Sequence, residues 1–165
     1  MRKYFFLIAA IVLLLDRITK WAVASNIALR ESVPVIPGFF RLYHVENPGA
    51  AFGLFAEPSA QWKVGALVCF SVLALIVVSA LLWKNGHSLT TMTVGLSLIL
   101  GGALGNLWDR VLAGHVVVDF LDFYVGSYHW PAFNVADSAI VIGALLLVSE
   151  ILFAKSAGQT VKSSS

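Results

Sequence analysis

Two short stretches of the chain each place an aspartate in apolar surroundings. Asp119 follows Val116-Val117-Val118, and Asp137 follows Phe133-Asn134-Val135-Ala136. If the two carboxylates converge, repulsion and desolvation keep both from ionising together, so the pair shares one proton. Such a pair can activate water with its carboxylate and protonate a carbonyl oxygen or a leaving amine with its acid. That chemistry is peptide hydrolysis without a metal or a covalent nucleophile.

Spacing alone leaves a structural interpretation of both aspartates open. Asp137 lies where an acidic residue caps a helix, and Asp119 would then be a carboxylate on an exposed loop. Rival chemistries have little support, since the sequence holds neither a zinc-binding His-Glu-x-x-His motif nor a Gly-x-Ser-x-Gly motif. Cys69 lies within an apolar run, where packing is its ordinary role. We therefore expect no metal and no cofactor.

A first supporting group lies near the amino terminus. Asp16, Thr19 and Lys20 have the i, i+3 and i+4 spacing of one helix face. We interpret them mainly as a clamp between helices, with a contribution to the shape of a site as the alternative.

A second group closes a later apolar run. Asn106, Asp109 and Arg110 share a helix face by the same spacing, and Arg110 should pair with Asp109 or another nearby carboxylate. Gly101 and Gly105 precede them with the small-xxx-small spacing that permits close helix contact.

The composition indicates that these groups work in a lipid bilayer. Of 165 residues, 59% are hydrophobic and 12% are charged, whereas soluble domains carry about 25% charged residues. The net charge of +2 is too small for a nucleic-acid partner. Ionisable groups at membrane depth are costly, so each one is a candidate for function.

Four segments are long and apolar enough to cross a membrane, which takes about 20 residues. They are 4–24, 64–83, 89–107 and 133–154. The first resembles a secretory signal, but its charged residues between 16 and 20 favour a retained helix. The predicted fold is an all-α membrane protein with four transmembrane helices, one domain over 1–154 and a disordered cytoplasmic tail over 155–165.

The basic residues beside these segments orient the chain. Both termini should be cytoplasmic, because one side then holds Arg2, Lys3, Lys84, Lys155 and Lys162. The other side holds a small β segment at about 28–61, with a strand at 39–45, a turn at 47–49 and a return strand at 51–55. The second outer segment, 108–132, is aromatic, as expected at the membrane interface.

Five motifs occur in order along the chain, and together they resemble the lipoprotein signal peptidase (signal peptidase II) family of bacterial inner-membrane aspartyl proteases. The motifs are DRITK at 16–20, ENPGAAFG at 46–53, GGALGNLWDR at 101–110, VVDF at 117–120 and FNVAD at 133–137. The resemblance implies that Asp119 and Asp137 are the catalytic pair. It also implies a supporting or substrate-binding set of Asp16, Lys20, Asn47, Gly49, Asn106, Arg110 and Asn134.

The resemblance further implies the reaction. The family removes signal peptides from diacylglyceryl-modified prolipoproteins, cutting just before the lipidated cysteine at the outer, periplasmic face of the inner membrane. Membrane lipids and the inhibitor globomycin are the other implied partners, and we expect a monomer. The alternatives are a small proton-coupled transporter or a membrane scaffold. A transporter site usually lies at the bilayer midplane between repeats, whereas these polar groups gather at one face and no repeat is visible.

Overall fold

The structure, a computed structural model, describes residues 2–48, 61–112 and 116–162. Within those ranges the chain forms four helices, α1 (Arg2–Asn26), α2 (Gln61–Asn85), α3 (Thr91–Leu112) and α4 (Val135–Lys162). The same ranges contain four strands, β1 (Ser32–Ile36), β2 (Phe40–Asn47), β3 (Val117–Val125) and β4 (Tyr128–His129). The protein is therefore mostly helical with a small sheet, as the sequence predicts.

Three of the described helices are long and apolar enough to cross a membrane. They are Val64–Asn85, Thr91–Leu112 and Val135–Phe153, which coincide within a few residues with the predicted segments 64–83, 89–107 and 133–154. The helix α1 has 25 residues, a length of about 37 Å. However, Asp16, Arg17 and Lys20 interrupt its apolar sequence, so a fourth span stays a prediction.

The carboxyl-terminal end of α4 differs from the prediction of a disordered tail beginning at 155. The helix continues to Lys162. Extending an existing helix adds one hydrogen bond for each residue that is fixed. Alanine, lysine and glutamine in this stretch are also good helix formers.

The helix α3 lies between α1 and α4 and packs closely on both. A Cβ atom on Gly101 would lie 2.7 Å from the Ala9 carbonyl oxygen of α1, and one on Gly105 would lie 2.7 Å from Asp16 Oδ2. The predicted small face of α3 is therefore its contact with α1. Gly102 meets the backbone of Ala136 in α4 in the same way. These glycines bring polar groups of three helices within hydrogen-bonding reach.

The strands form an antiparallel sheet in the order β1-β2-β3-β4. The turn between β1 and β2 contains Gly38 at φ 80°, a conformation that glycine adopts without steric cost. The predicted strand at 39–45 corresponds to β2, whose described partners are β1 and β3. The return strand predicted at 51–55 lies outside the described residues.

The second outer segment contains a strand, which the sequence analysis did not predict. Residues 117–123, which are rich in β-branched and aromatic side chains, pair with β2, and Asp119 lies opposite Val45. Asp119 is therefore held in a sheet and is not on an exposed loop. Phe120 packs with Val23 of α1 and with Ile27 just after that helix, which attaches the sheet to the end of α1.

Candidate active site

Asp119 and Asp137 line one cavity of about 750 Å³. Asp119 comes from β3, and Asp137 lies in the first turn of α4. The Asp119 side chain is buried, with 4% of its residue surface exposed. The folded chain thus brings together two carboxylates that are 18 positions apart in the sequence.

Asn134 connects the two carboxylates. Its Nδ2 donates to Asp119 Oδ1 at 2.7 Å, and its Oδ1 accepts from the backbone N–H of Asp137 at 3.0 Å. The backbone N–H of Asn134 donates in turn to Asp137 Oδ2 at 3.3 Å. The last two bonds form a capping box at the start of α4. Helix capping and a carboxylate pair are therefore compatible, because the capping box occupies only one oxygen of Asp137.

Two further asparagines donate to the remaining carboxylate oxygens. Asn47 Nδ2 donates to Asp119 Oδ2 at 2.9 Å, and Asn106 Nδ2 donates to Asp137 Oδ1 at 2.7 Å. Burial raises the pKa of Asp119 to about 6; the hydrogen bond from Asn47 opposes this rise, and the negative charge of Asp137 adds to it. Asp119 therefore keeps its proton to a higher pH than an ordinary aspartate.

A buried ion cluster lies behind Asn106. Lys20, which is 2% exposed, places its Nζ 2.8 Å from Asp16 Oδ2 and 2.6 Å from Asp109 Oδ2, and it donates to Asn106 Oδ1 at 3.1 Å. Arg17 Nη2 lies 2.5 Å from Asp109 Oδ1. Two cations thus compensate two buried carboxylates, as buried charges require. Because Lys20 occupies Asn106 Oδ1, the amide Nδ2 is turned toward Asp137.

The clamp expected from Asp16 and Lys20 also reaches α4. Asp16 Oδ1 accepts a hydrogen bond from the backbone N–H of Ala136 at 3.1 Å. That N–H has no partner within its own helix, because it lies in the first turn. Thr19 does not join the cluster, since its hydroxyl donates to the backbone carbonyls of Leu15 and Asp16.

Arg110 lines the same cavity and donates from Nη1 to the backbone carbonyl of Asn106 at 3.3 Å. Its guanidinium is partly buried near three carboxylates, those of Asp137, Asp109 and Asp119. The close ion pairs of Asp109 are instead with Arg17 and Lys20. Gly49 lies outside the described residues.

The cavity has an apolar part that the sequence analysis did not identify. Its apolar side chains come from α2, from the segment after β4 and from α4, and they include Leu67, Trp130, Pro131, Phe133, Ile140, Val141 and Ile142. The aromatic residues just before Asn134 could have indicated this apolar surface, because they adjoin a polar motif in an apolar chain. The site therefore combines two carboxylates, one of them with a raised pKa, with an apolar surface.

Comparison with known proteins gives a consistent result. A family model described as Signal peptidase (SPase) II matches residues 8–153. The lipoprotein signal peptidase of Solibacter usitatus is 46% identical over 145 residues, 88% of each chain. That of Desulforapulum autotrophicum is 47% identical over 149 residues, 90% of this chain and 91% of that protein. A bacterial membrane enzyme solved by the in meso method at 2.3 Å resolution has a TM-score of 0.83 and 34% identity, covering 94% of this chain and 91% of that one.

Proposed function

The chain belongs to the signal peptidase II family of membrane-embedded bacterial proteases, and we propose that Asp119 and Asp137 perform its chemistry. The observation that carries this proposal is the pair of carboxylates joined by Asn134 in a single cavity. Asn47 and Asn106 hold the other oxygens of the pair. The carboxylates are therefore oriented before substrate arrives, which reduces the reorganisation needed in the transition state.

The proposed reaction begins with one proton on the pair, held by Asp119. The Asp137 carboxylate removes a proton from water as the water oxygen bonds to the scissile carbonyl carbon, and Asp119 donates its proton to the carbonyl oxygen. The resulting gem-diol returns one hydroxyl proton to Asp119 as the C–N bond breaks. The proton on Asp137 passes to the leaving amine, so the pair recovers its single proton. The raised pKa of Asp119 supports this assignment of acid and base.

We assign supporting roles to the other polar residues. Asn134 and Asn106 orient the carboxylates, and Lys20 fixes the Asn106 amide through its oxygen. Asp16 holds the first turn of α4, from which Asp137 projects. Arg110 offers a positive charge to the substrate backbone or to a polar lipid group within the cavity. Gly49 is proposed as a substrate-binding residue on the basis of the family resemblance.

The proposed substrate is a prolipoprotein with a diacylglyceryl-modified cysteine, cut just before that cysteine. The apolar part of the cavity supports this choice, since Ile140, Val141 and Ile142 lie about one turn below Asp137 along α4. A lipid-bearing peptide would place its acyl chains beside these residues and its scissile bond beside the carboxylates. Globomycin would compete for the same cavity.

We also propose that α1 crosses the membrane as a fourth span, in a monomer with both termini in the cytoplasm. Its length supports this, and its charged residues Asp16, Arg17 and Lys20 have partners in α3 and α4 in place of lipid. The site residues lie at the ends of α1, α3 and α4 next to the sheet. With the basic residues at the opposite ends inside, the cavity opens toward the periplasmic face of the inner membrane.

The test is cleavage of a diacylglyceryl-modified precursor by the purified protein in detergent. Asp119→Asn and Asp137→Asn should each lower kcat/KM by at least about a thousandfold, because each removes an acid–base group needed in both steps. Glu31→Gln, which changes an exposed carboxylate, is the matched control and should cleave at the parental rate. A folded Asp119→Asn or Asp137→Asn protein with parental activity would contradict the proposal. A transporter or a scaffold would not cleave the precursor at all.

A further inference from the structure

A second polar cluster, here called the Asp122 cluster, consists of Arg41, Asp122 and His129 and lies across three strands of the sheet. Arg41, on β2, donates from Nε to Asp122 Oδ2 at 2.6 Å. His129 Nδ1, on β4, lies 3.1 Å from both carboxylate oxygens of Asp122. The Asp122 side chain is 3% exposed, whereas that of His129 is 39% exposed. Because a carboxylate only accepts hydrogen bonds, the imidazole donates from Nδ1.

Aromatic rings hold both partners of Asp122 in place. Tyr124 stacks on the His129 ring with centroids 5.1 Å apart, and the Arg41 guanidinium lies 5.2 Å from the centroid of the same tyrosine. The Tyr124 hydroxyl accepts from the backbone N–H of Gly38 at 3.2 Å. The cluster is thus an ordered unit, with a buried carboxylate that has a cation on one side and an imidazole on the other.

His129 directly precedes the part of the chain that lines the cavity. Residues 130–133, here called the wall segment, all contact the cavity. At one end, the Trp130 backbone N–H donates to the Phe123 carbonyl at 2.8 Å, and at the other Phe133 pairs with Leu121. Before the wall segment, β4 has only two residues, and so short a strand pairing is weak by itself.

We propose that His129 and Asp122 are positioning residues that set the affinity for substrate by holding the wall segment against the cavity. This inference rests on the proposed binding of the lipidated precursor in that cavity. The bond from His129 to a buried carboxylate adds a charge-assisted contact where the strand pairing is weakest. The indole of Trp130 and the Phe133 ring then occupy fixed positions when the apolar part of the substrate arrives.

The cluster should act on binding and not on the chemical step. Within the described part of the chain, the hydrogen bonds of Arg41, Asp122 and His129 do not reach Asp119 or Asp137. Loosening the wall segment therefore changes contacts made equally to substrate and transition state, which raises KM and leaves kcat unchanged.

The test compares kinetics of variants on the diacylglyceryl-modified precursor. His129→Ala should raise KM about tenfold, equivalent to about 1.4 kcal/mol, with kcat within about twofold of the parent. His129→Asn should restore KM, because its Nδ2 lies near the position of Nδ1 and also donates to Asp122. The control is His87→Ala, in the turn after α2 at the opposite end of the helices, which should leave both constants unchanged.

A double variant identifies the route of the effect. In a Trp130→Ala background, adding His129→Ala should raise KM by a smaller factor than it does in the parent, because one of the two rings that the wall segment positions is already gone. Multiplying effects on KM would overturn the inference, as would an unchanged KM or a loss of kcat in His129→Ala. The proposal that Asp119 and Asp137 are the catalytic pair is tested separately, and it is wrong if Asp119→Asn or Asp137→Asn stays active. Inactive aspartate variants together with a parental KM in His129→Ala would refute only the role of the Asp122 cluster.

Discussion

Replacing Asp119 with asparagine should make the protein more stable at neutral pH while it abolishes activity. In the folded protein the carboxyl keeps its proton up to about pH 6, whereas its ordinary pKa is 3.8. The folded state therefore binds more protons than the unfolded chain between those values. It follows that the free energy of unfolding falls as the pH rises from about 4 to about 6 and is constant above that range.

The size of the effect follows from the same values. The difference between 3.8 and about 6 corresponds to about 3 kcal/mol that the parent loses on ionising a buried carboxyl. Asparagine does not ionise and avoids this loss. Asparagine also places an amide N–H₂ where a carboxylate oxygen accepted a hydrogen bond from Asn47 or Asn134. The loss of that hydrogen bond costs about 1 kcal/mol. The net gain is about 2 kcal/mol, or about 4–8 °C in Tm for a chain of this size.

The assay is thermal unfolding in detergent, followed by tryptophan fluorescence at about pH 4 and about pH 7.5. At the higher pH the Asp119→Asn protein should unfold above the parent, and at the lower pH the advantage should vanish. Glu31→Gln, an exposed carboxylate, should match the parent at both. The reasoning is refuted if Asp119→Asn has no higher Tm at neutral pH, or if its advantage is the same at both pH values.

Three further predictions concern packing, charge and pH dependence. Gly105→Ala should lower Tm, because the added methyl group overpacks against Asp16 Oδ2 at a cost of about 1–3 kcal/mol. Gly65→Ala in α2 is the control, since a methyl group there has open space, and equal losses in Tm for the two variants would contradict the close packing of α3 on α1. Lys20→Met should lower the free energy of unfolding by about 3–5 kcal/mol, because the buried negative charges of Asp16 and Asp109 lose a compensating cation. Lys84→Met, at an exposed lysine, is the control, and an unchanged Tm for Lys20→Met would show that the ion cluster contributes nothing to stability. Asn47→Ala removes a hydrogen-bond donor that lowers the pKa of Asp119, so that pKa should rise and the alkaline limb of the pH–rate profile should move to higher pH. An alkaline limb that moves to lower pH would contradict the assignment of Asp119 as the acid.

The helices and the two central aspartates could be predicted from the sequence for a simple reason. A bilayer imposes a minimum length on an apolar helix, and it makes each internal charge conspicuous. The segments 64–83, 89–107 and 133–154 follow from the first effect. Asp119 and Asp137 could be singled out because charged residues are conspicuous in so apolar a chain. The strand at 39–45 was also found, since its aromatic and β-branched residues are consecutive.

The contacts between distant residues could not be predicted from spacing. Asp122 pairs with Arg41 from 81 positions away, and Lys20 reaches Asp109 across 89 positions. The strand β3 was missed because aromatic residues at a membrane interface and aromatic residues in a strand give the same composition. The capping box of Asn134 and Asp137 is a local pattern, so its spacing could have been recognised from the sequence alone.

The hydrogen bond from the Ala136 backbone to Asp16 has a consequence for how the protein is made. Asp16 lies in α1 and Ala136 in α4, so the bond joins a helix that is made early to one that is made later. Once α3 has been made, Lys20 can already pair with Asp109 and Asn106, but the capped turn of α4 and Asp137 are still missing. A nascent chain therefore carries the ion cluster without a complete carboxylate pair. With the catalytic roles proposed for Asp119 and Asp137, cleavage begins only once α4 is in place.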